Sequence, residues 1–166
     1  MRNLYLKKNL TTNSEKFTFF DAQQNPLYRG LQTSMTLPPK FEITDCTASQ
    51  QVISLTGSIF SLMPEFKLFD MTNNKHICAI KKKFTVSKAK VTIKTPSGDY
   101  QIDGNFVQRD FKIFDDQQRE IISMHPGKIS WGEISEIIID TDLIAEHVAV
   151  GLLVGIECAY YSDNKY

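Results

Sequence analysis

The sequence predicts a mainly β fold: a closed 12-stranded antiparallel β-barrel of serial hairpins around a central hydrophobic C-terminal α-helix. Three observations point there. An apolar-x-apolar segment leading into a polar turn recurs about every 25 residues along the 166-residue chain. Each of the first five copies is followed by a second alternating segment, and the sixth is not. Where that segment should stand, there is an apolar run of helical length.

The copies begin at 17, 41, 66, 91, 111 and 136, so successive steps are 24, 25, 25, 20 and 25 residues. Phe17-Thr18-Phe19-Phe20-Asp21 returns as Phe41-Glu42-Ile43-Thr44-Asp45, Phe66-Lys67-Leu68-Phe69-Asp70 and Phe111-Lys112-Ile113-Phe114-Asp115. Val91-Thr92-Ile93-Lys94-Thr95 and Glu136-Ile137-Ile138-Ile139-Asp140 keep the spacing with other residues. Side chains alternate across a strand, so the first and third positions share one face. Asp then opens a turn, because its carboxylate accepts hydrogen bonds from turn amides. The second strands are predicted at Leu27 to Leu31, Val52 to Gly57, His76 to Ile80, Tyr100 to Asn105 and Glu120 to Met124. Each unit is therefore a hairpin. Connectors with Ser or Pro lead to the next unit, most clearly Ser34 to Pro39 and Ser61 to Pro64. Proline suits a strand start, where no ladder donor is lost. An open meander or a sandwich would share this grammar. The steady step favours serial hairpins, and closure removes exposed edges.

Leu143 to Tyr160 reads LIAEHVAVGLLVGIECAY, preceded by Asp140, Thr141 and Asp142 as helix-capping residues. Eighteen helical residues span about 27 Å. Val148 to Ile156 is apolar on every side, which demands burial in protein or in a bilayer. Glu146, His147 and Glu157 interrupt the run, which argues against a membrane span. No clear polar face marks a surface anchor. The favoured place is inside the β structure. Gly151 and Gly155 form a GxxxG pair that lets another element approach closely, whether in a bilayer or in a crowded barrel. The missing strand leaves eleven. Asn3-Leu4-Tyr5-Leu6 is predicted to supply the twelfth, pairing near Ile137 to Ile139 and closing the sheet.

Twelve strands closed around such a helix resemble the tubby C-terminal-like fold. The residues also resemble the LURP-one-related family, including its bacterial members, over nearly the whole chain. The matching pieces are Ser61-Leu62-Met63-Pro64-Glu65-Phe66, Ala79-Ile80-Lys81-Lys82-Lys83-Phe84, Gly98-Asp99-Tyr100-Gln101-Ile102-Asp103-Gly104-Asn105-Phe106 and Ser130-Trp131-Gly132-Glu133. The resemblance implies one domain over residues 1–166. It also implies a binding role: tubby domains hold phosphoinositide headgroups through basic residues, and phospholipid scramblases share the domain fold.

Composition narrows the function classes. Lys+Arg and Asp+Glu both number 19, without the basic excess expected of a nucleic-acid binder. Cys46, Cys78 and Cys158 are odd in number and scattered, which suggests reduced thiols rather than a disulfide scaffold. Residues Met1 to Leu10 contain no signal-like apolar run, so a cytoplasmic location is expected. CxxC, HExxH, Walker, GxGxxG and GxSxG motifs are absent from the sequence, so no enzyme, metal or cofactor is expected. The adjacent carboxylates Asp115 and Asp116 fit a turn opener, since Asp stands at the equivalent place in other repeats. His125 is read as a turn residue and His147 as a core or helix-end histidine. His76 and Cys78, two apart on one strand, would share a face without a group to orient the base.

The remaining candidate is the basic segment Lys81, Lys82, Lys83, Lys88, Lys90 and Lys94. On two neighbouring strands these residues would form a cationic patch for the phosphates of an anionic lipid headgroup. The alternative is a solvated strand face whose lysines protect an edge. The leading expectation is a non-enzymatic cytoplasmic binding module at the membrane surface. The alternative is a structural or protein-interaction domain with no lipid ligand.

Overall fold

The computed structural model describes residues 1–9, 14–34, 38–58, 63–84, 86, 89–128 and 133–161. Among these, twelve strands precede one helix. The strands are β1 (Arg2–Lys8), β2 (Glu15–Phe20), β3 (Pro26–Ser34), β4 (Lys40–Asp45), β5 (Gln50–Gly57) and β6 (Glu65–Asp70). They continue as β7 (Lys75–Phe84), β8 (Ala89–Lys94), β9 (Asp99–Asn105), β10 (Asp110–Phe114), β11 (Glu120–Pro126) and β12 (Ile134–Ile139). The helix α1 covers Glu146–Tyr161. Each strand pairs antiparallel with its sequence neighbour, and β1 closes the barrel on β12. The closing register sets Asn3 opposite Ile138 and Leu4 opposite Ile137, where the sequence predicts the pairing. Pro39 and Pro64 directly precede β4 and β6, so neither removes a ladder donor. The rest of both proline connectors falls largely outside the described residues.

The repeated hairpin contains a feature beyond alternation. The pairing slips by one residue between Phe19 and Phe20, Ile43 and Thr44, Leu68 and Phe69, and Ile113 and Phe114. The extra residues on the partner strands are Leu27, Val52, Ile77 and Ile121. All four are aliphatic and join or flank the core. A bulge of this kind bends the strand and increases its twist, which helps a sheet close. It also separates His76 from Cys78: the histidine is exposed and the thiol buried, so they do not share a face. His125 likewise departs from expectation. It lies in β11, where its Nδ1 meets Asp110 Oδ1 at 2.7 Å.

The helix begins later than its sequence suggests. Asp140 Oδ1 accepts from the Asp142 amide at 3.1 Å, and its carbonyl accepts from Leu143 and Ile144. The acidic residues thus close a turn, and regular helix starts at Glu146. From there the helix crosses the barrel interior and is buried from Val148 to Ala159. Its closest neighbours are β5, β6, β7 and β8. The two glycines make this approach feasible. A Cβ on Gly151 would stand 2.9 Å from Leu68, and one on Gly155 would collide with Ile80. No helix among the described residues is long and apolar enough to cross a membrane.

Candidate functional site

The hairpin turns that open on Asp lie at one end of the barrel, together with the start of α1. Their aspartates are structural. Asp21, Asp45, Asp70 and Asp115 each accept from the amide two residues onward at 2.8–2.9 Å. For Asp70, burial pushes the carboxyl up. Hydrogen bonds from Thr72, His147 and Asn73 outweigh it and hold the carboxyl near 2. His147 Nε2 lies 3.1 Å from Asp70 Oδ2, tying the first helical turn to the β6–β7 turn. Asp115 is held low in the same way, as bonds from Arg119 overcome desolvation. Asp116 is exposed beside it.

The lysine segment is divided by the pleat. Lys83 stands opposite Lys90, and Lys81 opposite Thr92; Lys94 stands opposite Ala79. Lys83, Lys90 and Lys94 are exposed on the outer face, and Lys81 is half-buried with Glu65 at 3.7 Å. Lys82 points the other way and is only 3% exposed. Lys88 lies outside the described residues. Like charges directly opposite on a ladder are unfavourable, so the Lys83–Lys90 pairing carries an energetic cost. Edge protection also bears on it: the β8–β9 ladder covers only Ile93 and Lys94, so Lys90 lies on a stretch of β8 that pairs with β7 alone.

Lys82 serves the other end of the helix. Its Nζ donates to the Tyr160 carbonyl at 3.0 Å and lies 5.2 Å from the ring centres of both Phe84 and Tyr160. A cation there complements the helix dipole, and α1 has no basic residue of its own in the last turn. Tyr160 stacks on Phe106 at 4.7 Å, and Phe106 meets Phe111 at 5.1 Å. This aromatic rim lines one side of the mouth from which the helix emerges. The sequence does not reveal it, because its members come from β7, the β9–β10 turn, β10 and α1.

Across the mouth, a pocket of about 420 Å³ is lined by Leu6, Lys8, Gln108, Arg109, Pro126, Gly127, Glu133, Ile134 and Ser135. Beside it is the buried carboxylate of Glu157. Lys8 Nζ reaches it at 2.8 Å, and Arg109 grips both its oxygens at 3.0 and 3.5 Å. Glu157 stands out in the sequence as an interruption of the apolar run, but its partners lie far away in the chain. Cys78 and Cys158 are buried free thiols; burial raises both, Cys78 to about 12. Cys46 is half-buried and also free.

Comparison with known proteins agrees with this architecture. The LURP-one-related family model matches residues 2–143, a span containing all twelve strands. No curated protein matches. The chain is similar to an X-ray structure of a protein from Arabidopsis thaliana, with 15% identity and a TM-score of 0.57. That likeness covers 92% of this chain and 91% of the other. At such identity it speaks for the fold alone. On the family match, which runs from the first strand through the last, the chain belongs to the LURP-one-related family.

Proposed function

We propose that the protein is a non-enzymatic binding module that engages anionic phospholipid headgroups at the cytoplasmic surface of a membrane. The observation that carries this reading is the opposed, exposed pair Lys83 and Lys90 on the outer face of β7 and β8. Folding tolerates this repulsion, and a phosphate between the two ammonium groups would relieve it. Lys81 and Lys94 extend the same face along the ladder. Lys82 is assigned to the helix terminus and not to the ligand. A non-enzymatic role is supported by the side chains that would otherwise suggest catalysis. The depressed aspartates are occupied in turns, and the buried thiols are held away from the reactive thiolate form.

Liposome flotation tests the reading. Recovery should rise on anionic over neutral vesicles and fall sharply for Lys81→Glu/Lys83→Glu. Equal recovery on both vesicle types, unchanged by the double substitution, would sink it.

A further inference from the structure

We infer that the barrel docks on the membrane end-on, through the mouth where the helix emerges, and inserts an apolar tip into the lipid interface. This rests on the headgroup reading above and adds an orientation and a second binding element. The tip consists of Phe84, Val86 and Val107, which are 64%, 109% and 78% exposed. Phe84 ends β7, Val86 follows it in the connection to β8, and Val107 lies in the β9–β10 turn. All three therefore reach the same end of the barrel. Scattered exposed apolar residues are ordinary on protein surfaces. Met1 and Met71 are exposed at the far end; the informative feature of these three is that they stand beside an aromatic rim.

Three further observations select a membrane as the occupant. The rings of Phe84, Tyr160 and Phe106 gather at the mouth, and aromatic rings suit the headgroup layer. Lys83 and Lys90 flank the tip on the outer wall, placed to meet phosphates while the tip goes deeper. The opposite end carries the aspartate turns and the acidic start of α1, Glu146. A neutral chain is thereby polarised along its axis, and an anionic surface would attract the mouth and repel the far end.

The test uses the full chain and vesicles of phosphatidylcholine with or without phosphatidylserine. Phe84→Ser/Val86→Ser/Val107→Ser should weaken binding to the serine-lipid vesicles about tenfold or more, as expected for loss of buried apolar area. Lys83→Glu/Lys90→Glu should weaken it as well, and Met71→Ser at the opposite end should leave it unchanged. Wild-type binding unaffected by the triple serine variant would overturn tip insertion and leave the lysine reading standing. Failure of the wild type to bind either vesicle would overturn both. Should the triple variant not fold, Phe84→Trp decides: its added fluorescence should shift to the blue and be quenched by brominated lipid. Emission indifferent to vesicles refutes insertion.

Discussion

The two ends of this barrel solve the same problem, covering the terminus of a buried helix, by different chemistry. At the start of α1, a repeated turn aspartate and a cation from β1 do the work. Asp70 binds its own turn and His147 of the first helical turn, and Arg2 meets Glu146 at 2.9 Å. At the other end the partners are cations from β7, β1 and the β9–β10 turn: Lys82 meets the Tyr160 carbonyl, and Lys8 with Arg109 meets Glu157. The first end is closed by repeated turns that share one device. The second is left as a mouth with a pocket, an aromatic rim and exposed apolar residues. The contrast separates repeated scaffold from the end on which the docking proposal rests.

The sharpest way to break the comparison is at Glu157. Its side chain is 2% exposed, while each cation holding it is 30% exposed. Removing both partners strands a charge in the core, at a cost of about 3–5 kcal/mol. Lys8→Leu/Arg109→Leu should lose about that much stability in urea denaturation. Adding Glu157→Leu should recover most of the loss, since an apolar replacement of the whole cluster leaves nothing unpaired. A triple variant no more stable than the double would show that the cost lies in packing instead.

The aspartate end should respond to acid. Asp70 is held near 2, below the ordinary carboxyl value of about 4. Its stabilising contribution is therefore full above pH 4 and is lost as pH falls toward 2. The difference corresponds to roughly 2 kcal/mol. Asp70→Asn should cost about that at neutral pH and little at pH 2. The variant's stability should fall less steeply with acid than that of the wild type. Parallel acid profiles would remove Asp70 from the account.

These ends also differ in how far the sequence reveals them. The Asp turns and the serial hairpins follow from local pattern, because each rests on residues a few positions apart, whereas the β1–β12 closure follows from the strand count, which leaves Ile137 to Ile139 in need of a partner. The bulges at Leu27, Val52, Ile77 and Ile121 are harder to see. An aliphatic residue beside an inward one looks like an imperfect alternation until pairing shows the extra residue. The helix start is misplaced by a few residues because Asp140 and Asp142 suit a turn as well as a cap. At the mouth, the lysine run is conspicuous, but the direction of each lysine depends on register. Lys82 faces inward where its neighbours face out, and only the helix end explains why. The rim and the Glu157 cluster assemble residues from across the chain, so no local window contains them.

The smallest expected effect is also the one that bears most directly on function. Lys83 and Lys90 face each other across the β7–β8 ladder, and opposed like charges are destabilising on the scale of about 0.2–1 kcal/mol. Lys90→Glu replaces repulsion with attraction, so thermal or chemical unfolding should show a gain of that order at low salt. Added salt should erase much of the gain, because both side chains are solvent-exposed. The same substitution should weaken binding to anionic vesicles. A gain in stability with a loss of binding identifies a pair kept at the expense of the fold, as a ligand site requires. A loss of stability instead would mean that surrounding groups already balance the two lysines, and the pair would no longer single out this face.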